Sequence, residues 1–279
     1  MDRFLAELEQ ASITVRRRIS GSLTGNYKSY NLGSSYDFYG VRPYYQGDNI
    51  KNIDWKAFSR TERIYTKLFT EQKQINVTVL IDNSKSMDFG QPLKWNMAKM
   101  CALGISYITL KELNKLNIYS FNDSIELNLN NLNSKKLFYG VLNKLEKITP
   151  SGKTNFKESI SSINSQTGII FIITDLLSTN IKEFLQKSIG KYEKVVLIHM
   201  MCQEELNPKY NGKIKFIDSE TGESKIANIG NKEIELYKEK VKEFTLQCKE
   251  ECEKRNIKYI FAPKYTSPVQ IILKAIEVE

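Results

Sequence analysis

Ile75 to Met87 reads INVTVLIDNSKSM, and the fold is decided there. An apolar, β-branched run ending at Ile81 is the pattern of a strand buried on both faces of a mostly parallel sheet. It delivers Asp82, Ser84 and Ser86 at its carboxyl end, where open α/β sheets bind ligands. One carboxylate and two hydroxyls at alternate positions are hard oxygen donors, suited to Mg²⁺ or Mn²⁺ rather than to a soft metal. The same residue types also serve as ordinary turn and N-cap residues, so the motif acquires meaning only from what lies further along the chain.

Two later stretches supply it. Pro150 to Phe156, PSGKTNF, puts Thr154 in a Gly-containing loop before a helix, and Gly168 to Asp175, GIIFIITD, is a second buried strand ending in Asp175. Thr154 and Asp175 follow Asp82 by about 70 and 90 residues, which leaves room for βαβ crossovers. The ordered set Asp-x-Ser-x-Ser, Thr, Asp resembles the metal-ion-dependent adhesion site of von Willebrand factor A domains. That resemblance implies that Asp82, Ser84, Ser86 and Thr154 hold the ion and that Asp175 acts through water. Two carboxylates only neutralise a divalent ion, so the metal stays electrophilic and an open position favours an Asp or Glu from a partner. The expected device is one for binding, with no catalytic residue assigned.

The remaining pattern alternates strand and helix, as in a doubly wound, mostly parallel sheet. A helix from Pro92 carries Met97, Met100, Cys101, Gly104 and Ile108 at core spacing. Short strands flank Asn122-Asp123, a helix covers 135–147, and short helices follow at Phe156 and at 181–189. Another strand spans 194–200. KIKFIDSETGESKIAN, residues 213–228, reads as a hairpin leaving the sheet. A long helix over 232–255 is expected to turn Ile234, Tyr237, Val241, Phe244, Cys248 and Cys252 inward, before a strand at 257–261 and a closing helix introduced by Thr266-Ser267-Pro268. The expected fold class is therefore α/β, von Willebrand factor A-like and Rossmann-like, over residues 73–279. A small β-containing module is expected over residues 1–72.

That module opens with a helix over 2–19 ending in Arg16-Arg17-Arg18, a cationic terminus that the macrodipole favours. From Phe38 to Gln72 it is dense in charged and aromatic residues, among them Arg42, Tyr44, Gly47, Asp48, Asp54, Trp55 and Arg60. Arg60 with Asp54 or Asp48 is suited to a buried charge-assisted pair around Trp55; a binding surface is the rival reading, because Arg, Trp and Tyr are also the anchors of interfaces. The string R-P-Y-x-x-G-D-x-x-x-x-I-D-W-x-x-x-S-R, followed by a strand and D-N-S-x-S-M, resembles family 58 of the domains of unknown function. Members of that family fuse such a module to a von Willebrand A-like domain and typically occur beside MoxR-type AAA+ ATPases in bacteria. The resemblance implies an adaptor or partner of such an ATPase or of its client.

Composition narrows the rest. The 279 residues carry Lys+Arg 41 against Asp+Glu 32, a formal +9, but the lysines are spread rather than blocked, which reads as a solvated surface more than as a nucleic-acid groove. Cys101, Cys202, Cys248 and Cys252 form no C-x-x-C, and a single histidine, His199, at a strand end excludes His-based zinc sites. The charged N-terminus is unlike a signal peptide and no apolar run approaches bilayer length, so a cytoplasmic protein is expected. Two other functions compete with the interaction module. A haloacid-dehalogenase-type phosphohydrolase would use Asp82, Thr154 and Asp175, but it needs a carboxylic acid where Ser84 stands. A nucleic-acid binder would use Arg16 to Arg18 and the aromatic segment.

Overall fold

The structure is a computed structural model describing residues 1, 3–10, 38–69, 74–156, 163, 167–177, 185, 192–219, 221–265 and 267–277. The chain forms two compact units, Ser20–Gln74 and a larger one made of Met1–Ile19 with Ile75–Glu279. This division departs from the expected module over residues 1–72, because helix α1 (residues 3–10) belongs to the larger unit. Leu5 and Leu8 are buried there and Phe4 packs on the same core. The Glu9 carboxylate accepts hydrogen bonds from the Tyr107 hydroxyl and, at 2.9 Å, from Lys111 Nζ. An apolar helix face goes where it finds cover, and the core of the larger unit provides it.

In the small unit, β1 (Phe38–Pro43) pairs antiparallel with β2 (Tyr65–Phe69). Between them α2 (Trp55–Thr61) is capped by Asp54, whose Oδ1 accepts from the amides of Lys56 and Ala57, both at 3.1 Å.

The larger unit holds β3 (Asn76–Asp82), β4 (Lys115–Phe121), β5 (Ile125–Leu132), β6 (Ile169–Thr174) and β7 (Lys194–His199). The hairpin β8 (Gly212–Ile217) and β9 (Ser224–Ile229) stands apart as its own two-stranded sheet, and β10 (Lys258–Phe261) completes the main one. The main sheet runs β10-β7-β6-β3-β4-β5, parallel except for β5, which lies antiparallel to β4.

Period-two alternation sorts its side chains into two cores. Val79, Ile81, Phe171, Ile173, Val196 and Ile198 face one layer, and Leu80, Ile170, Ile172 and Leu197 the other. On the first face lies α3 (Lys94–Lys111), with α4 (Phe138–Glu146) beside it. A short helix α5 (Gln203–Leu206) precedes the hairpin, and α6 (Asn231–Glu253) and α7 (Pro268–Ile276) complete the described helices.

Residues 101–109 of α3 are all buried, because α1 and α7 cover it. Gly104 permits that approach, since a Cβ there would lie 2.3 Å from Ile272 Cδ1. On the second face, α6 contributes Cys248 and Cys252, but Tyr237, expected to face inward, is exposed. Ser267 caps α7, accepting from Gln270 N, with Pro268 in its first turn. Thr266, the helices expected at Phe156 and 181–189, and the end of the first helix lie wholly or mostly outside the described residues.

The placement of α1 gives two expected outcomes. Leu8→Ala should destabilise the larger unit by about 2–5 kcal/mol, read from urea unfolding, as deletion from a closed core does. The hydrogen bond from Tyr107, then that from Lys111, hold Glu9 well down, to about 2 from an ordinary 4.5. Its stabilising contribution is therefore present above pH 4.5 and is lost as pH falls through about 2. The stability difference between the wild type and Glu9→Gln, followed by denaturation from pH 7 downward, should shrink over that interval.

Candidate functional site

Counting only the six main strands from β3, the order is 3-2-1-4-5-6, the doubly wound arrangement whose crevice opens where the order reverses. That switch point lies between the carboxyl ends of β3 and β6, which end beside Asp82 and Asp175.

Asp82 has no exposed surface. Its Oδ1 accepts from the Ser84 amide at 2.9 Å, and its Oδ2 from Thr174 Oγ1 at 2.7 Å and Thr154 Oγ1 at 3.4 Å. Ser84 Oγ lies 3.0 Å from Ser86 Oγ. Burial pushes the Asp82 pKa up, the charge of Asp175 adds to this, and the hydrogen bonds from Thr174 and Ser84 oppose both. Asp82, Ser84, Ser86 and Thr154 are thus brought together.

Backbone bonds hold the threonine loop against the others. The Ser151 amide donates to the Asn83 carbonyl at 2.9 Å, Lys85 N to Gly152 O at 3.0 Å, and Asn155 N to Asn122 O at 2.7 Å. Gly152 sits at φ +69°, a left-handed turn that glycine takes without strain. Glu126, from β5, clasps the same loops, accepting from Asn83 Nδ2 at 2.6 Å and Asn122 Nδ2 at 2.7 Å.

Asp175 is engaged differently. Its Oδ1 accepts from the Leu177 amide at 3.2 Å, and its Oδ2 pairs with Lys94 Nζ at 2.8 Å. The same ammonium reaches Glu205 Oε1 on α5 at 2.6 Å, and the Lys94 side chain is only 1% exposed. Burial opposes that charge, but Asp175 and then Glu205 outweigh it and hold the lysine pKa above its usual value. His199 Nε2 lies 3.0 Å from the Asp175 carbonyl oxygen and Nδ1 lies 2.6 Å from the Tyr259 hydroxyl. A carbonyl only accepts, so Nε2 carries the proton and Nδ1 accepts from Tyr259. Burial pushes the His199 pKa down to about 4, which keeps the ring neutral and fixes the backbone of Asp175.

The chemistry of the donors fits a hard divalent cation: one carboxylate and three hydroxyls converge, with a second carboxylate behind. No group of three or more His, Cys, Asp or Glu side chains placed to hold a metal occurs among the described residues.

Of the two readings of the small unit's motif, the pair of Arg60 with Asp54 or Asp48 around Trp55 is not formed. Asp48 pairs with Arg42 Nη2 at 2.6 Å and also accepts from Tyr45 N and Thr66 Oγ1. Asp54 is spent on the α2 cap, so both carboxylates offered to Arg60 are used elsewhere, and Arg60 itself is exposed. Tyr44 is half-buried and its amide donates to Ile64 O. Trp55, expected at the centre of a buried pair, is 60% exposed and meets Phe58 edge to face at 6.1 Å.

Thr174, Lys94, Glu205 and Glu126 escaped the sequence reading. Thr174 sits in plain view in IITD, where a hydroxyl before the terminal aspartate of an apolar strand is a usable signal. Lys94 had only the weak signal of a cation within an otherwise apolar helix face.

A sheet of this order, with Asp-x-Ser-x-Ser at the end of its first strand and a threonine loop beside it, defines a von Willebrand factor A-like domain. The chain belongs to the family described as protein of unknown function DUF58, whose model matches residues 40–243. Uncharacterized proteins of Mycobacterium bovis and Mycobacterium tuberculosis are each 24% identical over 116 residues, 41% of this chain. The match spans 37% of the length of those curated relatives.

Among solved structures, an aerotolerance-related membrane protein from Bacteroides fragilis is similar at 17% identity and a TM-score of 0.46, covering 72% of this chain and 96% of that one. The conserved hypothetical protein BatB from Bacteroides thetaiotaomicron is similar at 16% and 0.44, covering 72% and 97%. The SpRpn10 VWA domain aligns at 15% and 0.35, over 46% of this chain and 75% of its own. Among the described residues, no helix is long and apolar enough to cross a membrane.

Because Thr174 gives the buried Asp82 carboxylate its shortest hydrogen bond, Thr174→Val should cost about 1–3 kcal/mol of stability, measured as a lowered thermal midpoint with near-unchanged far-UV circular dichroism.

Proposed function

We propose that the larger unit is a metal-dependent protein-interaction module, with Mg²⁺ or Mn²⁺ held by Asp82, Ser84, Ser86 and Thr154 and with Asp175 acting through water. The observation that carries this reading is the convergence of those four oxygen-bearing side chains at the switch point of the sheet. The bound cation would supply an electrophilic coordination position for an acidic side chain of a protein partner. The chain's own residues do the rest. Thr174 and the Ser84 amide orient Asp82, the bonds from Asn83, Lys85 and Asn122 fix the threonine loop, and His199 holds the backbone of Asp175. The family resemblance points to a MoxR-type AAA+ ATPase or its client as the partner, acting in the cytoplasm.

Two features speak for this module over a phosphohydrolase. Asp82 has no exposed surface, so it lacks the access to a phosphoester that an attacking nucleophile needs. The position for a general acid holds Ser84, whose hydroxyl cannot replace a carboxylic acid. Arg16 to Arg18, the basis of the nucleic-acid reading, lie outside the described residues.

The test is affinity capture on the full chain with Mg²⁺ or with chelator, comparing the wild type with Asp82→Ala. Partner proteins should be retained only with metal and with Asp82 intact. Equal capture with chelator and with the variant overturns the adhesion-type reading.

A further inference from the structure

The feature that the proposed function leaves unused is the buried ammonium of Lys94. It sits on Asp175 at 2.8 Å and on Glu205 at 2.6 Å, with 1% of its side chain exposed. The other Asp175 oxygen accepts from the Leu177 amide. Every oxygen of that carboxylate is therefore engaged by a donor within the chain. Asp82, by contrast, faces two hydroxyls and one amide, and among the described residues no ammonium bonds to it.

We infer that Lys94 is a built-in counter-cation of the metal site: it supplies positive charge to Asp175, keeps that carboxylate from coordinating directly, and so sets a weak affinity for the divalent ion. The inference rests on the metal-site reading above. Its physical basis is charge. An ammonium and a divalent cation beside the same carboxylate repel each other, and in a buried crevice that repulsion is screened far less than in water. Glu205 acts in the opposite sense, drawing the ammonium towards α5 and offsetting part of its field. Weak affinity has a use in such a site, because a loosely held ion is retained best when a partner's carboxylate completes its coordination.

The pattern of signs separates this role from a merely structural one. Mn²⁺ binding to the full chain, followed by isothermal titration calorimetry and by the loss of the free-ion paramagnetic resonance signal, should tighten by about tenfold or more in Lys94→Met. Lys94→Arg, which keeps the charge, should stay near the wild-type affinity. Glu205→Gln, which leaves the ammonium less compensated, should weaken binding several-fold. A lysine that only braces the fold predicts weakening in both Lys94→Met and Glu205→Gln.

In chelator, Lys94→Met should melt below the wild type and recover more on adding Mn²⁺. If it does not fold, the double variant Lys94→Met/Glu205→Gln, which removes one of the two carboxylates, takes its place with the same expected tightening. Unchanged or weaker binding in the Lys94→Met background, with the wild type still binding Mn²⁺, overturns the inference alone. No Mn²⁺ uptake by any of these proteins overturns the metal-site reading and this inference together.

Discussion

The fully buried carboxylate of Asp82 is the constraint around which the larger unit is arranged. A carboxylate removed from water costs several kcal/mol unless donors replace the solvent it has lost. Those donors come from separate segments: the Ser84 amide from the turn after β3, the Thr174 hydroxyl from the end of β6, and the Thr154 hydroxyl from the loop following α4. Satisfying one side chain therefore draws together the carboxyl ends of two adjacent parallel strands and a loop that is distant in sequence. The crevice of the doubly wound sheet and the demands of a buried anion coincide at this place, which is why the hydroxyls converge there and not elsewhere along the sheet.

A second buried charge, on Lys94, is matched in the same manner. Its two carboxylates come from β6 and α5, so one ammonium joins the start of α3 to the strand end and to the helix preceding the hairpin. Such an assembly is weak evidence for net stability, because desolvation of the three groups offsets much of their attraction. Its effect on specificity is stronger. Lys94 is the first residue of α3, so the two pairings tie to the strand end and to α5 the start of a helix whose residues 101–109 are buried.

What was legible in the sequence follows from the range over which each interaction acts. The strands could be read because a side chain buried on either face of a sheet leaves a run of apolar residues, as in VTVLI and IIFII. Asp82, Ser84 and Ser86 were legible because they lie within one short motif, and Thr154 and Asp175 because a family resemblance ties them to it. Lys94 was not, since its partners stand 81 and 111 residues away and a lysine near a helix start reads as solvated. Glu126 was hidden likewise, 43 residues from Asn83 on an edge strand with polar outward positions. The unit that α1 joins, and the exposure of Trp55, which the sequence left between a buried pair and a surface, were out of reach for a related reason. Periodicity shows that a helix has an apolar face or that an aromatic is present, but not which surface covers it.

These long-range pairings also bear on what the proposed cation would contribute to the fold. In a site chelated mainly by carboxylates, removing the metal leaves like charges facing one another, and the fold then depends on the ion. Here three of the four proposed direct ligands are neutral hydroxyls, two of which lie 3.0 Å apart and satisfy each other. The fourth, Asp82, has its own amide and hydroxyl donors, and the second carboxylate has Lys94. Asp82, Asp175 and Lys94 each keep a partner within the chain, so the proposed cation would add a ligand-binding position without being required to hold the strands together. On the proposed reading, a crevice organised in this way would gain and lose a cation at little structural cost, as reversible, ion-dependent association requires.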